Sequence, residues 1–113
     1  MVAGGDVVTQ LRRGALEYCV LALVADGERY GFDIVRSLGS VDGMVTGEGT
    51  LYPLLARLKK DGRVSTTWRE SAEGPPRKYY AITEEGRRAL ADFVAQWQQF
   101  RDAVDSILVK GER

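Results

Sequence analysis

The sequence predicts a mainly α fold with one small β-hairpin and a long helix at its end, on three observations. Apolar residues recur at helical spacing in three early segments, and two short runs rich in Val, Thr, Trp, Tyr and Ile flank a Gly-Pro-Pro break. The C-terminal part carries an apolar repeat of seven. At 113 residues, 44% hydrophobic and 28% charged, the chain suits one domain.

Residues 1–10 show no such pattern and are read as a flexible lead, with a short helical extension packing on the partner subunit as the alternative. From Gly14 to Ala25, GALEYCVLALVA, Leu16, Cys19, Val20 and Leu23 fall at i, i+3, i+4 and i+7, which predicts a helix. Tyr18, Leu21, Ala22 and Ala25 make its other side apolar as well, so both faces need cover; in so small a chain the second cover is expected to be another subunit. After Asp26-Gly27, the run YGFDIVRSL puts Tyr30, Ile34, Val35 and Leu38 on one stripe of a shorter helix capped at Gly39. Ser40 to Gly49 reads as a loop.

Leu51, Leu54, Leu55 and Leu58 form the stripe of a third helix that ends at Asp61-Gly62. Pro53 has no backbone donor and is expected in the first turn, which places the start close to Thr50 with Thr46 or Gly49 as cap. Arg63–Arg69 and Arg77–Thr83 are the arms of the hairpin, and SAEGPP is its exposed, irregular tip. Thr83-Glu84-Glu85 is an N-cap with acidic residues in the first turn, opening a helix to about Val109 of roughly 25 residues and ~38 Å. Leu90, Trp97 and Val104 are seven apart, as are Phe93, Phe100 and Ile107, giving a seam of about three heptads. A seam that long outruns the domain and is read as a dimer contact together with Tyr18 and Leu21. The expected organisation is a lead over 1–10, a helix and hairpin domain over 11–83 and a C-terminal dimerisation helix over 84–113.

Composition excludes several function classes. With no histidine and one cysteine, a Cys/His zinc site and a His-based triad are out of reach, and no metal or cofactor is expected. No nucleophile with an adjacent base, paired carboxylates or phosphate loop assembles, Gly47-Glu48-Gly49 being too short for the last; an enzyme is not expected. The lone Cys19 cannot form an intramolecular disulfide and, on an apolar stripe, is read as a packing residue. No apolar run approaches the ~18 residues needed to cross a bilayer, and Met1 to Gly5 lacks a basic n-region, so the chain reads as cytoplasmic with no membrane partner.

Basic and acidic residues number 16 each, so any basic footprint has to be local. It is: residues 57–78 carry seven basic against three acidic residues, while the segments on either side are both net acidic. On the third helix, Gly49, Tyr52, Pro53, Ala56 and Lys60 face away from the leucines, flanked by Arg57 and Lys59. A solvated face normally carries long charged side chains; this one is shallow and edged by cations, as if something lies close against it. Three helices followed by a basic two-stranded wing is the order of a winged helix-turn-helix, which sets a helix in the major groove of double-stranded DNA and a wing against phosphates. Arg57, Lys59, Arg69, Arg77 and Lys78 suit phosphates, and Lys60 is added to the DNA-contacting face of the third helix by its geometry. Winged domains also bind proteins, so an interaction module or a small-molecule-binding protein without operator binding stays open as the alternative.

GEGTLYPLLARLKKDG, the wing segment GPPRKYYAIT and the following TEEGRRAL resemble the PadR family of transcriptional regulators, and YGFDIV is similar to that family's Gly-Tyr-Glu-Ile pattern, with Phe32 and Asp33 departing from it. The resemblance spans about Leu11 to Leu108. It implies a homodimeric winged-helix repressor, commonly autoregulatory or controlling a neighbouring transporter or stress gene, built as a dimer from its first and last helices and reading a pseudo-palindromic operator. The single C-terminal helix resembles the family's short subgroup. By position Thr46, Thr50 and Tyr52 match the start of the family's recognition helix; Tyr52 also reads as a partly buried packing residue, and Arg57 as the partner of a carboxylate. In multidrug-binding members of the short subgroup, a tryptophan matching Trp97 stacks on flat aromatic ligands at the dimer centre. Phe93, Trp97 and Phe100 are therefore candidates for holding a planar aromatic effector, although aromatics at seam spacing usually fill the dimer core.

Overall fold

The computed structural model describes residues 3–41, 44 and 47–111. Its elements are α1 (Ala3–Leu23), β1 (Arg29–Tyr30), α2 (Gly31–Gly39), α3 (Glu48–Lys60), β2 (Val64–Ser71), β3 (Gly74–Ile82) and α4 (Glu84–Gly111), with the strands in the antiparallel order β1-β3-β2. The mainly α architecture with a hairpin and a long last helix is as the sequence predicts.

The core is wholly apolar. Leu16, Val20 and Leu21 of α1 and Val24 just after it meet Ile34 and Leu38 of α2, the four leucines of α3, Val64 of β2 and Tyr80 of β3. Leu21, expected at a subunit contact, is fully buried here, because α1 turns Leu16, Val20 and Leu21 inward together; it has no surface left to offer a partner. Cys19 sits half-buried at the edge of this cluster. The lead expected over 1–10 is helical from Ala3: Val7 and Leu11 extend the stripe of Ala15 and Tyr18 by whole turns, and Gly4 and Gly5 fall in the first turn.

Tyr30 is not on the α2 stripe. It belongs to β1, pairs with Tyr79 and occupies the N-cap of α2 with an extended backbone, which adds a third strand that two residues could not announce in the sequence. Gly39 is the last helical residue, and Ser40 caps in the right-handed region, so no left-handed glycine closes α2.

Helix α3 starts at Glu48, two residues before the Thr50 that Pro53 suggests, with Gly47 as N-cap and Leu51 making the first full-turn hydrogen bond, to Gly47. Pro53 lies in the second turn and simply deprives the Gly49 carbonyl of its intrahelical donor. The helix stops at Asp61, and Gly62 at φ +77° takes the left-handed turn that leads into β2.

The hairpin is longer than its arms in the sequence. Gly74, Pro75 and Pro76, expected in an irregular tip, are part of β3. β1 covers β3 only at Tyr79 and Tyr80, so the prolines lie where β3 is an edge, beside an irregularity in the register between Arg69 and Ser71. The Thr83 cap is as expected: its Oγ1 accepts the Gly86 N–H at 3.0 Å and donates to the Gly62 carbonyl at 2.6 Å.

Only the first half of α4 packs on the domain, through Ala89, Leu90 and Phe93 against α1. The rest projects: the radius of gyration is 16.4 Å, against ~13 Å for a compact domain of this length. Among the described residues, no helix is long and apolar enough to cross a membrane.

Candidate nucleic-acid interface

The leucines of α3 are buried, and Gly49, Tyr52, Pro53, Ala56, Lys59 and Lys60 are all exposed, so the helix presents the shallow face the sequence describes. Strand alternation builds the opposite wall. In the register Trp68↔Lys78 and Thr66↔Tyr80, the face that buries Tyr80 also turns Trp68 and Lys78 toward α3. The two walls enclose a cleft of about 410 Å³ lined by Tyr30, Gly31, Tyr52, Leu55, Ala56, Lys59, Trp68, Pro76, Arg77, Lys78 and Tyr80. Lys59, Arg77 and Lys78 are its charged residues, and all three are cations.

Tyr52 is both exposed and packed. It is 37% exposed, and the inner part of its ring lies over Gly31, where a side chain would meet the Tyr52 Cε1 at 3.2 Å and the Tyr80 Cε1 at 3.3 Å. That close approach is why glycine follows Tyr30. Burial pushes the Tyr52 phenol above its ordinary range, with Glu48 and Tyr30 adding to the effect. The hydroxyl therefore stays a protonated donor at neutral pH, suited to a phosphate or a base edge.

The other expected cations are distributed unevenly. Arg69 and Arg77 are cross-strand partners in the wing, Arg77 reaching the rim of the cleft. Like charges directly opposite each other destabilise a ladder unless something negative answers them. Within the chain the answer is partial: Arg69 pairs with Glu28 and lies 5.6 Å from the Tyr79 ring, and Arg77 lies 4.7 Å over the Tyr30 ring. Lys78 sits between the rings of Trp68 and Tyr80 at 5.7 and 5.8 Å. Arg57 turns toward α1, where its Nη2 lies 3.2 Å from the Glu17 carboxylate, though it remains largely exposed. Exposed ion pairs of this kind are worth ~0–1 kcal/mol and are readily exchanged for a phosphate. Thr50 is exposed on the α1 side of α3, and Thr46 lies outside the described residues.

Trp68 is the residue that sequence reasoning missed. It is 64% exposed on the wall of the cleft. Its only sequence signal was a large aromatic at a polar-facing register of a strand, and that register becomes readable once the pairing is known.

A second surface lies at the other end of the molecule. Tyr18 stacks face to face on Phe93 at 4.2 Å, Phe93 on Trp97 at 6.1 Å, and Trp97 tilts against Phe100 at 6.4 Å. This ladder borders an apolar groove of about 470 Å³ between α1 and α4, lined among others by Leu11, Ala15, Cys19, Ala22, Leu90 and Val94. Leu90 and Phe93 are partly used by the chain's own core, whereas Phe100 and Ile107 are 60% and 68% exposed and Val104 is half-buried. Among the described residues, no group of His, Cys, Asp or Glu side chains is placed to hold a metal ion.

The chain is similar to known proteins in both sequence and fold. A family model described as the transcriptional regulator PadR-like family matches residues 20–92. The transcriptional regulator Rv3488 of Mycobacterium tuberculosis is 35% identical over 83 residues, covering 74% of this chain and 76% of that protein. Among solved structures, a PadR-like transcription factor from Bacteroides fragilis is 42% identical, with a TM-score of 0.74 over 90% of this chain and 98% of that one. A PadR family transcriptional regulator from Eggerthella lenta is 37% identical, with a TM-score of 0.84 over 94% of this chain and 92% of that one.

Proposed function

Because the chain belongs to the PadR-like family of transcriptional regulators, we propose that it is a homodimeric, sequence-specific DNA-binding repressor that reads double-stranded DNA with α3 and its wing. The observation that carries this reading is the cleft between α3 and the hairpin, whose charged residues are Lys59, Arg77 and Lys78 alone. Small residues at Gly49, Pro53 and Ala56 let the helix backbone approach base edges in the major groove, with Thr50 and Tyr52 as the hydrogen-bonding side chains. By the family pattern Thr46 joins them. Lys59, Lys60, Arg69, Arg77 and Lys78 neutralise phosphates, and Arg57 does so by exchanging Glu17 for one.

The dimer in this reading closes the apolar surface of α1 and α4. Tyr18, Trp97, Phe100, Val104 and Ile107 pack on their counterparts, with Leu90 and Phe93 at the near end of the seam. A two-fold dimer sets its recognition helices one helical turn apart, about 34 to 36 Å or a multiple, and so reads a pseudo-palindrome.

The aromatic ladder favours a further element of control. Phe93, Trp97 and Phe100 form a stacking surface for a planar aromatic effector between subunits. Such a ligand acts through its preference for one angle between subunits over another, shifting the recognition helices out of register with the operator.

The test is a salt-dependent titration of the protein against the DNA just upstream of its own coding region, with unrelated DNA as control. Selective binding with a steep negative salt slope supports the proposal. No binding even at low salt overturns it in favour of a protein-interaction or ligand-binding module.

A further inference from the structure

The charge count along the sequence leaves residues 1–56 net acidic and so hides a second basic edge beside α3. Helix α1 runs along the flank of α3 opposite the wing, and a groove of about 380 Å³ between the two is lined by Thr9, Arg12, Arg13, Glu17, Thr50 and Arg57, over a floor of Leu16, Pro53 and Leu54. Three arginines face one carboxylate there. That carboxylate, Glu17, is already held by Arg57 at 3.2 Å and Arg63 at 2.7 Å. Arg13 is exposed and, among the described residues, has no acidic partner.

Helical geometry separates this edge from the dimerisation surface. At about 100° per residue, Val7, Leu11, Ala15 and Tyr18 share one side of α1, while Thr9, Arg13 and Glu17 lie on the other. Covering the apolar side with a second subunit leaves Arg13 open to solvent. Thr50, at the start of the proposed recognition helix, lines the same groove.

We propose that Arg13 on α1 is a DNA-backbone contact, so that α3 is bracketed by cations on both flanks: the wing on one side and α1 on the other. The inference rests on the DNA-binding reading above and deepens it. A helix seated in the major groove has a phosphate strand along each side, and a wing alone answers only one of them. Guanidinium is the group suited to bidentate phosphate capture at such an edge. The partner is the sugar-phosphate backbone, so the contact adds affinity without choosing a sequence.

The test compares wild type with Arg13→Ala, Arg13→Lys and a remote control, Arg88→Ala, in salt titrations on the upstream DNA and on unrelated DNA. Circular dichroism first establishes that each variant is folded. The expected result is that Arg13→Ala lowers the magnitude of the log K against log salt slope by about one per bound subunit, weakens both DNAs alike, and is rescued in slope by Arg13→Lys. A steep wild-type slope that Arg13→Ala leaves unchanged overturns the α1 contact while leaving the regulator reading intact. A wild type without salt-sensitive binding overturns the regulator reading, and this inference with it.

Discussion

Replacing Gly86 with alanine sets two effects against each other, and their sizes decide the outcome. Gly86 is in the first turn of α4, where alanine gains ~1 kcal/mol of helix propensity over glycine. An added Cβ, however, would lie 2.2 Å from the Arg63 carbonyl oxygen, 2.8 Å from Ile82 Cγ1 and 3.1 Å from the Arg63 carbonyl carbon. Relieving that clash takes about 1 Å of backbone movement, not a side-chain rotation. The same carbonyl accepts the Thr83 N–H at 3.1 Å, and Thr83 in turn caps α4 and donates to Gly62. Overpacking costs ~1–3 kcal/mol and each compromised hydrogen bond ~1 kcal/mol, so the net loss is about 2–4 kcal/mol, or on the order of 10–20 °C in Tm. Thermal unfolding followed by circular dichroism at fixed protein concentration reads the shift. Gly14→Ala is the control: its Cβ meets nothing within 4 Å, so it should gain up to ~1 kcal/mol. A Gly86→Ala protein as stable as wild type would refute the reasoning. Because this joint connects the winged domain to α4, the variant should also weaken the proposed operator binding.

Three further outcomes follow from the same contacts. Phe100→Glu combined with Ile107→Glu should convert dimer to folded monomer in sedimentation equilibrium, since both side chains are exposed and neither supports the core; an unchanged dimer would remove the seam from the interface. Tyr52→Ala should weaken operator binding by about 1–3 kcal/mol, leave the dimer intact and cost under ~2 kcal/mol of stability; a mainly unfolded variant would make Tyr52 a packing residue only. Burial pushes the Cys19 thiol above its ordinary value of 9.0, so the folded protein holds that proton more tightly than the unfolded chain. Its contribution to stability is therefore complete below about pH 9 and is lost as the pH rises through the folded value, and alkylation at pH 8 should run slower on native than on urea-unfolded protein. Equal rates would place Cys19 in solvent.

The fold was legible wherever a residue's pattern is local. The leucine stripe of α3, the Thr83 cap and the strong β character of VSTTW and YYAI each fix an element without reference to anything distant. What escaped depended on tertiary partners. Tyr30 looks helical by spacing, but the Tyr79 backbone claims it for a strand. Pro75 and Pro76 look like breakers, yet an edge segment with a shifted register has no need of their missing donors. Leu21 reads as surplus on a helix apolar all round, and only the placement of α2 and α3 determines which side is the core.

The candidate site divides in the same way. The outward face of α3 is set by its own periodicity and was readable. Trp68 and Arg13 were not: one needs the strand register to show which way it points, and the other sits in a segment whose summed charge is negative although its local edge is basic. Charge averaged over a block loses the sidedness that DNA responds to.

The claim that α3 and the wing form the DNA-contacting surface is tested most directly by Trp68 itself. In a Trp97→Phe protein, Trp68 is the sole tryptophan, and its emission reports the wall of the cleft during titration with the upstream DNA. The expected result is a saturable change in emission at the same DNA concentration as complex formation, reversed by added salt. A complex that forms while the emission of Trp68 stays that of a solvent-exposed indole would contradict it.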